Sequence, residues 1–230
     1  RAVYSFCMCP GGTVVAATSE AGRVVTNGMS QYSRNERNAN AGMVVAIEPS
    51  DYPTDVASWQ AAFGEADGLK WATQAQTMAQ QTPKAYHPLS GIVFQRTLES
   101  KAFVAGGENY TAPGQLVGDF LAACASKDFG EVQPSYKPGV SLGDLSEVLP
   151  GFAIEAMREA LPAFGRKIKG YDMKDAVLTG VETRTSSPLK MTRGENFQSL
   201  NTRGLYPAGE GASYAGGILS AGVDGIKIAE

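Results

Sequence analysis

An α+β fold is predicted by three features of the sequence. Residues 1–48 hold short β-rich runs divided by Gly, Pro and Asn. Residues 55–80 switch to apolar residues at spacings of three and four. Beyond residue 90, strand-length apolar runs alternate with helix-length stripes. A chain of 230 residues, 43% hydrophobic and 19% charged, can bury a core for one or two domains.

Val3 to Phe6 and Thr13 to Ala17 read as strands separated by a turn at Cys9-Pro10-Gly11-Gly12. Val24 to Thr26 and Met43 to Ile47 continue the β pattern. Between them, Ser30 to Ala41 carries Arg34, Asn35, Arg37, Asn38 and Asn40, a polar loop that either coats the surface or lines a polar site. Two helices follow between Asp55 and Gln80, with Thr54 or Asp55 as cap and breaks at Gly64 and Gly68. Ile92 to Gln95 and Ala102 to Val104 have strand length. Pro113 suits the first turn of a helix presenting Leu116, Val117, Phe120 and Leu121. Ser141 to Leu145 reads as a turn before a helix from Gly151 to Phe164, whose apolar face holds Phe152, Met157, Ala160 and Leu161. Ala176 to Val181 and Leu189 to Thr192 are predicted strands. Between them, Glu182 to Pro188 is a hydroxyl-and-arginine loop that either binds a polar ligand or only turns.

Several chemistries lack their residues. The net charge of −3 and a pI near 5.3 give no electrostatic reason to expect nucleic acid or an anionic membrane. Arg166-Lys167-x-Lys169 reads as a solvated helix end, and no apolar run reaches membrane-spanning length. Cytoplasm is the expected compartment. Cys7, Cys9 and Cys124 do not make a disulfide framework, and Cys7-x-Cys9 has no second pair to complete a zinc site, so no metal is expected. The pair is either a redox dithiol or two small apolar residues. His87 is the one histidine and has no nucleophile motif beside it. No Walker loop, His-Glu-x-x-His or calcium loop occurs, so any chemistry falls to a bound cofactor.

The last quarter is the richest stretch. Gly204 to Gly211 leads through Ala215-Gly216-Gly217-Ile218 into an apolar segment, suggesting a short strand, a glycine turn and a helix start. Glycines at 209, 211, 216 and 217 admit positive φ and remove the Cβ atoms that hold a ligand away from backbone amides. The segment is either a cofactor edge or a tight turn that binds nothing. It is no primary dinucleotide loop, because Tyr214 stands where the third glycine would. The start at Arg1 and the helical pattern running to Glu230 are those expected of a piece of a longer polypeptide.

Four motifs then stand in a familiar order: Phe6 to Gly12, Gly22 to Ser30, Glu182 to Pro188 and Gly204 to Gly211. Together they resemble the bacterial FAD-dependent dehydrogenases, also called NAD(FAD)-utilizing dehydrogenases. The resemblance implies a flavoprotein whose N-terminal Rossmann segment lies outside this chain. Residues 1–172 would be an inserted substrate-side domain, and residues 173–230 the C-terminal segment of a split FAD-binding domain. It implies FAD at Gly209, Glu210, Gly211, Gly216, Gly217 and Ile218, with NAD(P)H as a possible electron donor. Arg34, Arg37 and Arg184 are candidates to orient an anionic small-molecule substrate. The expected function is flavin-mediated hydride transfer, with this piece alone inactive and weak in FAD binding. The alternative is a non-catalytic scaffold or assembly domain with a relic flavin edge. Catalytic residues are not assigned by the sequence.

Overall fold

The computed structural model describes every residue except Pro83. The fold is α+β, as predicted, and forms two compact units. Unit 1 is Arg1–Ile47 with Leu98–Thr183, and unit 2 is Glu48–Thr97 with Arg184–Glu230. These bodies are distinct from the roles expected for residues 1–172 and 173–230 in a longer polypeptide.

Unit 1 opens with β1 (Val3–Ala16), the central strand of a sheet ordered β2-β1-β3, with β2 (Thr26–Met29) and β3 (Asn38–Val45) both antiparallel to it. The turn predicted at Cys9 to Gly12 is instead part of one bulged strand. Its register shifts between Phe6 and Cys9 and again between Cys9 and Gly12. Cys7 (φ 51°) and Gly11 (φ 56°) take left-handed backbone there, so the extra residues kink the strand without ending it. Pairing of Asn38 with Gly12 and Asn40 with Cys9 draws the end of the expected polar loop into β3. Val24 and Val25 are buried core just outside β2, where the Val24 amide donates to the Glu99 carbonyl at 3.0 Å.

The second sheet of unit 1 is ordered β5-β4-β6. Here β4 (Ala112–Leu116) is parallel to β5 (Val140–Leu142) and antiparallel to β6 (Val177–Thr179). Pro113 therefore lies in a strand and not at a helix start. It donates nothing but accepts from the Gly180 amide at 2.9 Å. Buried Gln115 spans the layer, its Nε2 donating to the Cys124 carbonyl and its Oε1 accepting from the Leu145 amide. The predicted helix after Pro113 shrinks to α4 (Val117–Leu121). Numbered in chain order, α5 (Gly151–Lys167) packs Ile154, Met157 and Leu161 against Val117, Phe120 and Leu145.

Unit 2 begins with α1 (Val56–Phe63) and α2 (Glu65–Gln81). The Asp55 carboxylate accepts from the Ser58 amide at 2.8 Å and caps α1. The break falls at Gly64 alone, whose φ of 87° suits glycine. Gly68 lies inside α2, buried so closely against the backbone of Trp59 and Gln60 that no side chain fits. The strands predicted at Ile92 to Gln95 and Ala102 to Val104 are one helix, α3 (Ser90–Ala105), which contributes residues to both units. Both apolar runs are too short to show the helical period alone, and the buried positions do not share a face: Ser90 and Val93 lie on one side of the helix and Glu99 and Ala102 on the opposite side. Trp59, Ala62, Ala72 and Val93 form the core of unit 2. His87 sits edge-on to Trp59 and Trp71 at 5.4 and 5.7 Å, where burial lowers its pKa. The lone histidine is structural, its Nδ1 accepting from the Leu89 amide.

The last helix, α6 (Ile218–Ala229), matches the predicted helix start. Neither strand predicted before it forms, at Leu189 to Thr192 or at the approach to the glycine turn. Only the Arg193–Ser199 bridge appears there, and the amides of Gly194 and Leu200 bond within the turn instead. Among the described residues, no helix is long and apolar enough to cross a membrane.

Candidate functional site

The glycine edge of unit 2 is held by a buried-side ion pair that the sequence reading missed. Arg193 donates from Nη1 and Nη2 to the two carboxylate oxygens of Asp224 on α6, at 2.9 and 2.6 Å. Nη1 also donates to the Pro207 carbonyl at 2.7 Å, and the Gly209 amide donates to Asp224 Oδ2 at 2.8 Å. One arginine thus fixes both the start of the glycine turn and the helix behind it. The hydrogen bonds from Arg193 and from the Gly209 amide hold the Asp224 pKa at about 2, below its ordinary 3.8.

Tyr214 completes the lock. Its hydroxyl accepts from the Arg193 amide at 3.0 Å, its own amide donates to the Gly209 carbonyl at 3.0 Å, and the Arg193 guanidinium lies 3.8 Å from its ring centre. The residue that breaks the dinucleotide pattern is therefore the turn's internal support. The only sequence signals for this trio are a single acid within an apolar helix and an aromatic residue replacing a glycine.

Gly209 (φ 66°) is buried, and a Cβ there would come within 3.4 Å of the Ala221 Cβ, so this glycine serves the contact with α6. Gly211 and Gly216 differ: a Cβ on either meets nothing within 4 Å. Gly217 caps α6 with φ 143°, and no side chain caps the helix. Its first amides carry the partial positive charge of a helix N-terminus. Glu210 is half-buried beside them, its carbonyl accepting from the Ser213 amide, and Ile218 is almost wholly exposed. Of the six expected cofactor contacts, Gly211, Gly216 and Ile218 are exposed, Glu210 and Gly217 are half-buried, and Gly209 is buried with its amide on Asp224.

The arginine candidates are placed separately. Arg34 and Arg37 belong to unit 1 and Arg184 to unit 2. All three are exposed. Arg37 donates to the Gln133 carbonyl at 2.9 Å and lines a cleft of about 210 Å³ with Gly12, Thr13 and Ser135. Arg34 adopts φ 51°, its carbonyl packed against Gly11. Sequence reading also passed over two carboxylates of unit 1. Glu99 is buried and accepts from the Thr183 hydroxyl at 2.7 Å, while burial raises the pKa of Glu182. Cys7 is exposed and Cys9 buried, its thiol donating to the Cys7 carbonyl. Among the described residues, no group of three or more metal-ligating side chains occurs.

Two comparisons bear on the chain, and the family match ends before the glycine edge. Residues 1–185 match the family described as "FAD-dependent protein, C-terminal domain-like". An uncharacterized protein of Clostridium beijerinckii is 48% identical over all 230 residues of this chain. The chain spans 37% of that relative's length.

Proposed function

Given that this chain belongs to the FAD-dependent protein family, C-terminal domain-like, we propose that it completes the FAD site of a flavin-dependent oxidoreductase acting on a small molecule. The observation carrying this reading is the pair of exposed glycines, Gly211 and Gly216, which leave space that any side chain would fill, in the segment leading to the uncapped start of α6. Such an edge fits the flat, polar portion of the cofactor.

FAD, when bound, supplies hydride transfer, with NAD(P)H as the donor class. The amides at the start of α6 place positive potential where negative charge is held, and Arg193 and Asp224 keep that helix in register with the turn. In this reading residues 1–172 form the substrate side and 173–230 the returning part of the FAD domain. Arg34, Arg37 and Arg184 would orient an anionic substrate. The remaining FAD contacts come from the rest of the longer polypeptide, so the 230-residue chain alone holds the cofactor weakly. The protein acts in the cytoplasm.

The test substitutes Gly216→Leu and Gly211→Leu in the longer polypeptide. Neither position has a neighbour that a Cβ would strike within the chain. Flavin content should fall roughly tenfold with the melting curve unchanged. Full flavin content in both variants would overturn the assignment of the edge. A longer polypeptide that never binds flavin would favour the scaffold reading.

A further inference from the structure

Helix α6 turns one side to this chain and leaves the other uncovered. Ala221, Asp224 and Ile228 lie on the covered side, where Gly209 reaches Ala221 and Arg193 reaches Asp224. On the other side Ile218 is 94% exposed, Leu219 86%, Val223 51% and Ile226 63%, with Gly222 between them. At 100° per residue these five positions form one continuous stripe, and Ser220 and Lys227 leave only a narrow polar strip. A surface helix of an independent body would carry charge across that stripe, and this one carries none. Gly222 adds a second sign of close approach. A helix-interior glycine costs about 1 kcal/mol relative to alanine, yet a Cβ at Gly222 meets nothing in this chain.

We propose that the stripe Ile218, Leu219, Gly222, Val223 and Ile226 is a docking face for an apolar surface of the remaining part of the longer polypeptide, whose backbone approaches at Gly222. That occupant follows from length: the relative matched over this whole chain has most of its sequence outside the match. The uncharged stripe selects an apolar partner over an acidic or basic one. The inference rests on the proposed function only in placing this chain within a longer polypeptide. It does not require flavin.

Ile226→Cys reads the face at a point two turns from the glycine edge, so a cofactor at that edge does not shield it. Maleimide labelling, followed on the peptide carrying residue 226, separates it from exposed Cys7 and Cys124. Labelling should be fast in the 230-residue chain and at least roughly tenfold slower in the longer polypeptide. Gly222→Leu, harmless to the chain itself, should restore fast labelling in the longer polypeptide. Equal rates in both proteins would overturn the proposal. So would protection in the 230-residue chain that grows with concentration, which would make the face a self-contact. Protection in a colourless longer polypeptide would keep the docking face and sink the flavin reading. Bound flavin with Ile226→Cys unprotected would do the reverse.

Discussion

Arg193 and Asp224 stand 31 positions apart in sequence and meet through two hydrogen bonds of 2.6 and 2.9 Å, both side chains nearly buried at 10% and 13% exposure. The pair joins a stretch without regular secondary structure to the last helix, and the same carboxylate receives the Gly209 amide. Removing either partner frees the turn and α6 together. Asp224→Asn should speed amide exchange across residues 207–226 by roughly tenfold or more, with unit 1 unchanged. Arg193→Lys, which keeps charge but loses the two-pronged geometry, should do so to a lesser degree. Unchanged exchange in Asp224→Asn would remove the pair from the account.

Acid should release the same contact. The Asp224 pKa is about 2 in the fold, against 3.8 ordinarily. The folded state therefore binds this proton less readily, so the pair's stabilisation is complete above 3.8 and declines as pH falls toward about 2. Protection of α6 measured across that interval should fall in the native chain, while Asp224→Asn should show a flat profile.

Glu182 works in the opposite sense. Burial raises its carboxyl pKa above the ordinary 4.5, so the folded state holds this proton more tightly than the unfolded chain. Its contribution is most favourable below 4.5 and becomes a cost as pH rises through the raised value. Glu182→Gln should raise the melting temperature at pH near 8 and leave it unchanged near 4. A loss of stability at the higher pH would contradict the burial argument.

Two helix glycines should respond in opposite directions. Gly68→Ala drives a Cβ into the Trp59–Gln60 backbone and should cost about 2–4 kcal/mol. Gly222→Ala meets nothing and should stabilise α6 by about 0.5–1 kcal/mol in the 230-residue chain. Chemical denaturation resolves both.

Much of this architecture is legible in the residues, for reasons tied to local physics. The break at Gly64, the Asp55 cap, α5 and the start of α6 follow from glycine freedom, capping and a helix-long apolar stripe. The α3 helix is hidden because its buried positions change sides, Ser90 and Val93 on one and Glu99 and Ala102 on the other, so no single apolar stripe runs its length. At Cys9 to Gly12, turn-forming residues sit in a strand because β3 supplies partners across the bulges. Sequence also marks the glycine edge but not its lock, since nothing local couples Arg193 to Asp224.

The central claim, that the glycine edge completes an FAD site, is tested most directly by visible absorption spectra of the longer polypeptide and of this 230-residue chain, each purified and then supplied with FAD. The account predicts a bound flavin band in the longer polypeptide, lost in Gly216→Leu, with little or none in the 230-residue chain. No band in the longer polypeptide after FAD addition would contradict it.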